Sequence, residues 1–225
     1  VLLDKTDNWY DILLNTDSTI NKFELHRNAE LVNLLGGRSN PDSLPELFTS
    51  EDDSEFILKI ISNYKLDNYA LVFPGSKGGK TSVKYWGSEN FAAIIDYIQT
   101  NLKLKVVLLG GTDEEQICSE IISLCKTQPV VLQGQFSLWK SVELLKHAEF
   151  YFGSDTSIAH FSAALNIQTI VLLGGGHFKR FFPYPEYNHV KAIYKELSCF
   201  NCNWKCTQET NRCIKDISIN EVKQV

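Results

Sequence analysis

Tyr69-Ala-Leu-Val-Phe73 is an unbroken apolar run, stopped by Pro74-Gly75. A strand with one wet face alternates polar and apolar residues; a strand with no alternation is covered on both faces. Downstream, the stretch Trp86 to Leu102 places Phe91, Ile94, Ile95 and Ile98 on one helical face. The same grammar then repeats. Lys105-Val-Val-Leu-Leu109 ends at Gly110-Gly111, a helix runs to about Cys125, Pro129-Val-Val-Leu132 follows, and a helix covers Ser137 to His147. Glu149-Phe-Tyr-Phe152, a helix from about Thr156 to Leu165, Thr169-Ile-Val-Leu-Leu173 and a sixth strand within His189 to Tyr194 complete the series. Thr112 with Glu115, and Ser218 with Glu221, have the spacing of capping boxes that open two of these helices. Strands alternating with helices of this length build β-α-β units around a parallel sheet. The expectation for residues 69–225 is therefore an α/β, Rossmann-like, doubly wound domain.

Working outward, residues 1–68 read differently. Tyr10-Asp-Ile-Leu-Leu14 has the look of a strand, and Phe23 to Leu35 of an amphipathic helix ending at Gly36-Gly37. Ser39 to Glu55 is acidic, carries Pro41 and Pro45, and reads as a linker. The stretch is too short for a second α/β domain. The chain opens with Val1 and contains no methionine, which fits a processed fragment or a sequence with residues missing.

Composition narrows the function. The 225 residues hold 22 Lys plus Arg against 27 Asp plus Glu, a formal net charge of −5, so no basic face for nucleic acid is expected. Neither a membrane-spanning run nor a signal peptide is apparent. Six cysteines without a secretory segment read as a reducing, cytoplasmic context rather than a disulfide scaffold.

Ligands of doubly wound sheets sit at the C-terminal ends of the strands. Interest falls on the loops Pro74–Trp86, Gly110–Glu115, Gly153–Ser157 and Gly174–Pro185. Gly79-Lys80-Thr81 approaches a phosphate-loop ending, but Pro74 stands where the first glycine belongs. An anion-binding loop of another kind, with backbone amides and Lys84 facing phosphates, is the better reading. Gly153-Ser-Asp-Thr-Ser-Ile-Ala-His160 turns straight from a strand into a helix. Such a helix start offers free N–H groups and a partial positive charge to a diphosphate, with Thr156 and Ser157 hydroxyls beside them. Taken singly, Asp155 reads as a helix cap and His160 as a packed residue; together they read as a site. Glu114 or Glu115 can accept hydrogen bonds from ribose hydroxyls. Gly174-Gly-Gly-His-Phe-Lys-Arg180 lacks the dinucleotide fingerprint, because Lys179 occupies its last glycine position. Cys199-x2-Cys202-x3-Cys206-x6-Cys213 can close a tetrahedral zinc or iron site. Reduced thiols and disulfides are the alternatives, and a structural role away from the chemistry is expected in each case.

Phe-Pro-Gly-Ser (73–76), Lys-Tyr-Trp (84–86), Leu-Gly-Gly-Thr-Asp-Glu-Glu (109–115), Ser-Asp-Thr-Ser-Ile-Ala-His (154–160) and Leu-Leu-Gly (172–174) together resemble glycosyltransferase family 9, the ADP-heptose:lipopolysaccharide heptosyltransferases and their relatives. The cysteine tail followed by Asp-Ile-Ser-x-x-Glu-Val (216–222) is similar to that family as well. The resemblance is close over 69–225 and weak over 1–68. It implies half of a GT-B fold: a C-terminal nucleotide-sugar-binding domain at 69–225, preceded at 1–68 by a remnant of the acceptor domain plus a linker. It places the donor against Ser76, Lys84, Glu114 or Glu115, Asp155, Thr156, Ser157, His160 and Gly174, with Ser157 standing where the family usually has glycine. The family's base is an aspartate early in the acceptor domain. Asp4, Asp7, Asp11 and Asp17 do not sit in that motif, so the catalytic residue stays unassigned. The implied activity is inverting transfer of a heptose-like sugar from an ADP-heptose-like donor to lipopolysaccharide or another glycan or lipid-linked acceptor. No cofactor is required for transfer, and the location implied is the cytoplasm, at most peripheral to the inner membrane. A nucleotide-binding module without transfer activity, or a metal-stapled interaction domain, are the readings from other classes.

Overall fold

The computed structural model describes residues 23–40, 45–184 and 187–225. Six strands, β1 Tyr69–Phe73, β2 Lys105–Leu108, β3 Val130–Val131, β4 Phe150–Ser154, β5 Gln168–Leu172 and β6 Val190–Ile193, form one parallel sheet in the order β3-β2-β1-β4-β5-β6. Leu71 pairs with Val107 on one side and Tyr151 on the other. Every strand expected within residues 69–225 is present.

Both faces of the sheet are covered, as the unalternating runs require. Ala70, Val72 and Phe152 point into one core with α3 (Ser88–Tyr97) and α4 (Glu115–Leu124). Tyr69, Leu71 and Tyr151 point into the other with α5 (Leu138–Lys146) and α6 (Ser157–Ala164). Two short helices, α7 (Arg212–Lys215) and α8 (Ile219–Lys223), close the first face. The capping box of α8 forms: Ser218 N–H donates to Glu221 Oε2 at 2.9 Å, and Glu221 N–H to Ser218 Oγ at 3.3 Å.

Three expectations need correction. The helix read over Trp86 to Leu102 is α3 followed by a looser turn at Ile98–Leu102. The Thr112–Glu115 box does not form; Thr112–Glu114 is a 3-10 turn, and Glu114 Oε2 accepts from the Gly111 N–H at 2.7 Å. The acidic "linker" is in part a 14-residue helix, α2 (Glu51–Tyr64), with α1 (Glu24–Leu34) before it. Glu51, Asp52 and Asp53 fill the first turn of α2, where carboxylates complement the helix dipole, and Ser50 caps it by accepting from Asp53 N–H at 3.1 Å. Its buried Ile57 joins the core of Tyr69 and Leu71. The strand expected at Tyr10–Leu14 lies outside the described residues.

Candidate functional site

The strand order reverses between β1 and β4. There the loop after β1 and the loop after β4 part, opening a crevice at the carboxyl edge of the sheet. A cavity of about 490 Å³ fills it. Its walls include Ser76, Lys84, Glu114, Asp155, Thr156 and Ser157, all six expected from the sequence.

Lys84 and Asp155 join the two loops. The Lys84 ammonium donates to Asp155 Oδ2 at 2.7 Å and to the Asp155 carbonyl at 2.9 Å. Asp155 is therefore no helix cap; that place belongs to Thr156. Burial pushes the Asp155 carboxyl upward, but the bonds from His160 and Lys84 outweigh it and hold the group below its ordinary value. An ammonium has three donors, so one N–H of Lys84 is left for an incoming anion.

Thr156 shows the clearest demand for a ligand. Its hydroxyl is buried and has no hydrogen-bond partner of good geometry among the described residues. The neighbouring Tyr151 hydroxyl donates to the Ser154 carbonyl at 3.0 Å. Thr156 also heads α6, whose first-turn amides lack intrahelical acceptors. Ammonium, hydroxyl and helix start thus converge on one crevice suited to a diphosphate.

Glu114 forms the far wall, 5% exposed. A Cβ on Gly75 would stand 1.9 Å from Glu114 Cγ, so only glycine lets this side chain lie there. Burial raises its carboxyl above the ordinary value, against the Gly111 amide, which lowers it. Glu115 is exposed at the start of α4 and does not line the crevice. Of the two candidates, the structure brings in Glu114.

His160 lies behind the site rather than in it. Its Nε2 is 3.5 Å from Asp155 Oδ1, its Nδ1 is 2.7 Å from the Tyr184 hydroxyl, and its ring stacks on Phe182. It orients Asp155. Gly174 also acts indirectly: a Cβ there would come within 2.4 Å of Trp204. Lys80, from the near-miss phosphate loop, turns away to Glu120 at 2.5 Å.

Sequence reasoning missed Phe73, Lys77, Ser82, Val83 and Trp204 on the cavity wall. The Lys77 and Ser82 positions were findable as polar groups of the same loop; Trp204 was not, since it arrives from the cysteine segment. That segment does not bring its thiols into a ligand set. All six cysteines are free, and among the described residues no group of three or more His, Cys, Asp or Glu is placed to hold a metal. Cys199, Cys202 and Cys206 do lie near enough to Cys213 to raise its thiol further above the shift that burial imposes. A second cavity of about 480 Å³, walled by Ile94, Phe150, Ile170 and Val222 with Glu149, Lys191 and Lys223, lies at the amino ends of β4 and β5, away from the loops of the switch point.

A six-stranded parallel sheet covered on both faces, with a crevice at its switch point, defines a Rossmann-like α/β class of protein. Within that class, the chain belongs to glycosyltransferase family 9 (heptosyltransferase), whose family model matches residues 12–210. It is similar to Lipopolysaccharide heptosyltransferase 3 of Escherichia coli, 32% identical over 110 residues, 48% of this chain and 31% of that protein. The fold resembles a glycosyl transferase family 9 crystal structure from Veillonella parvula, with TM-score 0.76 and 17% identity over 90% of this chain and 58% of that one. It also resembles ADP-heptose lps heptosyltransferase II of E. coli, with TM-score 0.62 and 22% identity over 80% and 51%. The architecture is one Rossmann-like half of a GT-B fold. The chain spans about a third of the curated relative it matches and somewhat over half of these solved structures.

Proposed function

We propose that residues 69–225 are the donor-binding domain of an inverting glycosyltransferase that takes a heptose-like sugar from a nucleoside diphosphate, ADP-heptose being the donor class. The observation that carries this reading is the buried Thr156 hydroxyl, without a well-formed hydrogen bond, set beside the Lys84 ammonium and the start of α6. The acceptor is lipopolysaccharide or another glycan, and the remnant of its domain lies in residues 1–68. E. coli heptosyltransferase WaaC has been solved with ADP, and its likeness to this chain, TM-score 0.53, supports the fold.

In the transfer, the acceptor hydroxyl forms a bond to the anomeric carbon as the bond from that carbon to the diphosphate oxygen breaks. The electron pair leaves with the nucleoside diphosphate, and the hydroxyl proton goes to a base. Negative charge grows on the departing diphosphate. The free N–H of Lys84, the amides that open α6 and the Thr156 hydroxyl are fixed in place to receive it, and preorganised donors of this kind are a large source of rate. Glu114 suits the ribose hydroxyls. The four cysteines have the ligand chemistry of a structural zinc or iron, and no step of the transfer runs through them. Incubating the full-length gene product with ADP-heptose and lipopolysaccharide acceptor should give a product of inverted anomeric configuration by NMR. Donor binding with neither transfer nor donor hydrolysis would leave only a binding module.

A further inference from the structure

Trp204 sits between Cys202 and Cys206, in the segment that the sequence sets apart from the chemistry. The structure brings its indole to the wall of the donor crevice. Its place there is built, as three independent observations show.

The backbone is the first. Trp204 has φ 60°, and Asn201 and Asn203 are also left-handed, at 65° and 53°. For a bulky residue this conformation is uncommon and persists only where its surroundings hold it. The hold is visible: Asn201 N–H donates to the Gly175 carbonyl at 2.7 Å, and Asn203 N–H to the Gly176 carbonyl at 3.0 Å. The glycine run is the second. A Cβ at Gly174 or Gly176 would stand 2.4 or 2.3 Å from the indole, so these two glycines are the bed on which the ring lies, while Gly175 makes room for the Phe200 ring. The third is what the ring faces. Lys84 Nζ lies 5.6 Å from the ring centroid, within cation–π reach, and the indole N–H donates to His177 Nδ1 at 3.3 Å.

We propose that Trp204 is a positioning residue of the donor site, holding the Lys84 ammonium between its ring face and the Asp155 carboxylate. The inference rests on the donor reading above. Its logic is electrostatic. Asp155 alone would draw Lys84 down and compete with a phosphate for it. The indole face attracts the ammonium without accepting a hydrogen bond, so the cation stays at the crevice with an N–H to spare. The cysteine segment thereby belongs to the donor site: whatever rearranges it moves Trp204, and through Trp204 the lysine.

The test is ADP titration of the full chain by calorimetry and by tryptophan fluorescence, comparing wild type, W204F, W204L, K84M and W204L/K84M. W204F keeps an aromatic face and should bind ADP within about threefold of wild type. W204L keeps an apolar side chain but loses the π-face, and should bind roughly tenfold more weakly, within the range of a desolvated cation–π contact. In the K84M background the same change should have no further effect, because the residue acts through Lys84. Saturating ADP should alter the emission component present in wild type and absent in W204F. Unchanged affinity in W204L, or a loss that simply adds to that of K84M, overturns the inference while leaving the donor reading intact. If W204L does not fold, the emission decides: no ADP response from Trp204 means that the indole is not at the ligand. A folded wild type that binds no ADP overturns the donor reading, and this inference with it.

Discussion

Thr156 carries a buried hydroxyl without a well-formed hydrogen bond, the Tyr151 hydroxyl being its polar neighbour. A native structure seldom leaves such a group idle, since desolvating it costs free energy that no partner returns. Thr156→Val removes the hydroxyl at nearly constant shape. Because only the poorly aligned contact with the Tyr151 hydroxyl is lost, the melting temperature should stay close to that of the wild type. ADP affinity should fall by about tenfold or more, as for a hydrogen bond to a charged group. Calorimetry and a melting curve on the same preparation check both halves; a loss of stability with unchanged affinity would show that the hydroxyl serves the fold. Residue-scale legibility was uneven for a physical reason. Lys84, Asp155, Thr156 and Ser157 were readable because strand ends and helix starts leave local marks. The choice between Glu114 and Glu115 was not, because it turns on the space above Gly75, thirty-nine positions earlier in the chain.

Helix α2 shows how composition misleads at the element scale. Glu51-Asp-Asp53 reads as solvated linker until Ser50 caps it and Ile57 is buried. Its N-terminus is then tied down by Glu143 on α5, which accepts from the Thr49 hydroxyl at 2.5 Å and pairs with Lys146 at 2.7 Å. Burial pushes the Glu143 carboxyl upward, but the bonds from Lys146, Thr49 and Ser54 prevail and lower it from 4.5 to about 2. A depressed carboxylate stabilises the fold above its unfolded pKa and loses that contribution as pH falls through the folded one. Glu143→Gln should therefore cost roughly 2–3 kcal/mol at neutral pH. It should also flatten the decline in stability between pH 4.5 and about 2, measured by urea unfolding across that range. The cysteine segment gives a second element-scale expectation. Burial pushes Cys118 up to about 12 and Cys125 to about 11, while Cys206 is exposed. Thiolate is the reactive form, so iodoacetamide at pH 8 should label Cys206 well before Cys118, read by mass spectrometry. Joint protection of Cys199, Cys202, Cys206 and Cys213 that a chelator reverses would instead reveal a bound metal. No local pattern announced Trp204. The reach from Trp204 back to Gly174–Gly176 is a tertiary contact, and the glycine run showed no periodicity to suggest what would rest on it.

For the whole molecule, topology does most of the functional placing. The sheet order puts β1 next to β4, though eighty residues separate Pro74 from Ser154, whose side chain donates to the Pro74 carbonyl at 3.3 Å. Two loops that are distant in sequence become the two sides of one crevice. No helix among the described residues is long and apolar enough to cross a membrane. A ligand in that crevice touches the loops after β1 and β4 together and, through Trp204, the cysteine segment, so its binding energy adds to the stability of the whole domain. At a hundred times its dissociation constant, ADP should stabilise the folded state by roughly 2.7 kcal/mol. For a domain of this size that corresponds to a rise of roughly 5–10 °C in melting temperature. A thermal-shift series with ADP, GDP, UDP and CMP derivatives measures it directly. The ADP series should rise with ligand concentration and the rise should shrink in K84M, because the lysine supplies the charge that holds the diphosphate. If every nucleotide leaves the melting temperature unchanged up to millimolar concentration, the crevice between β1 and β4 is not a donor site.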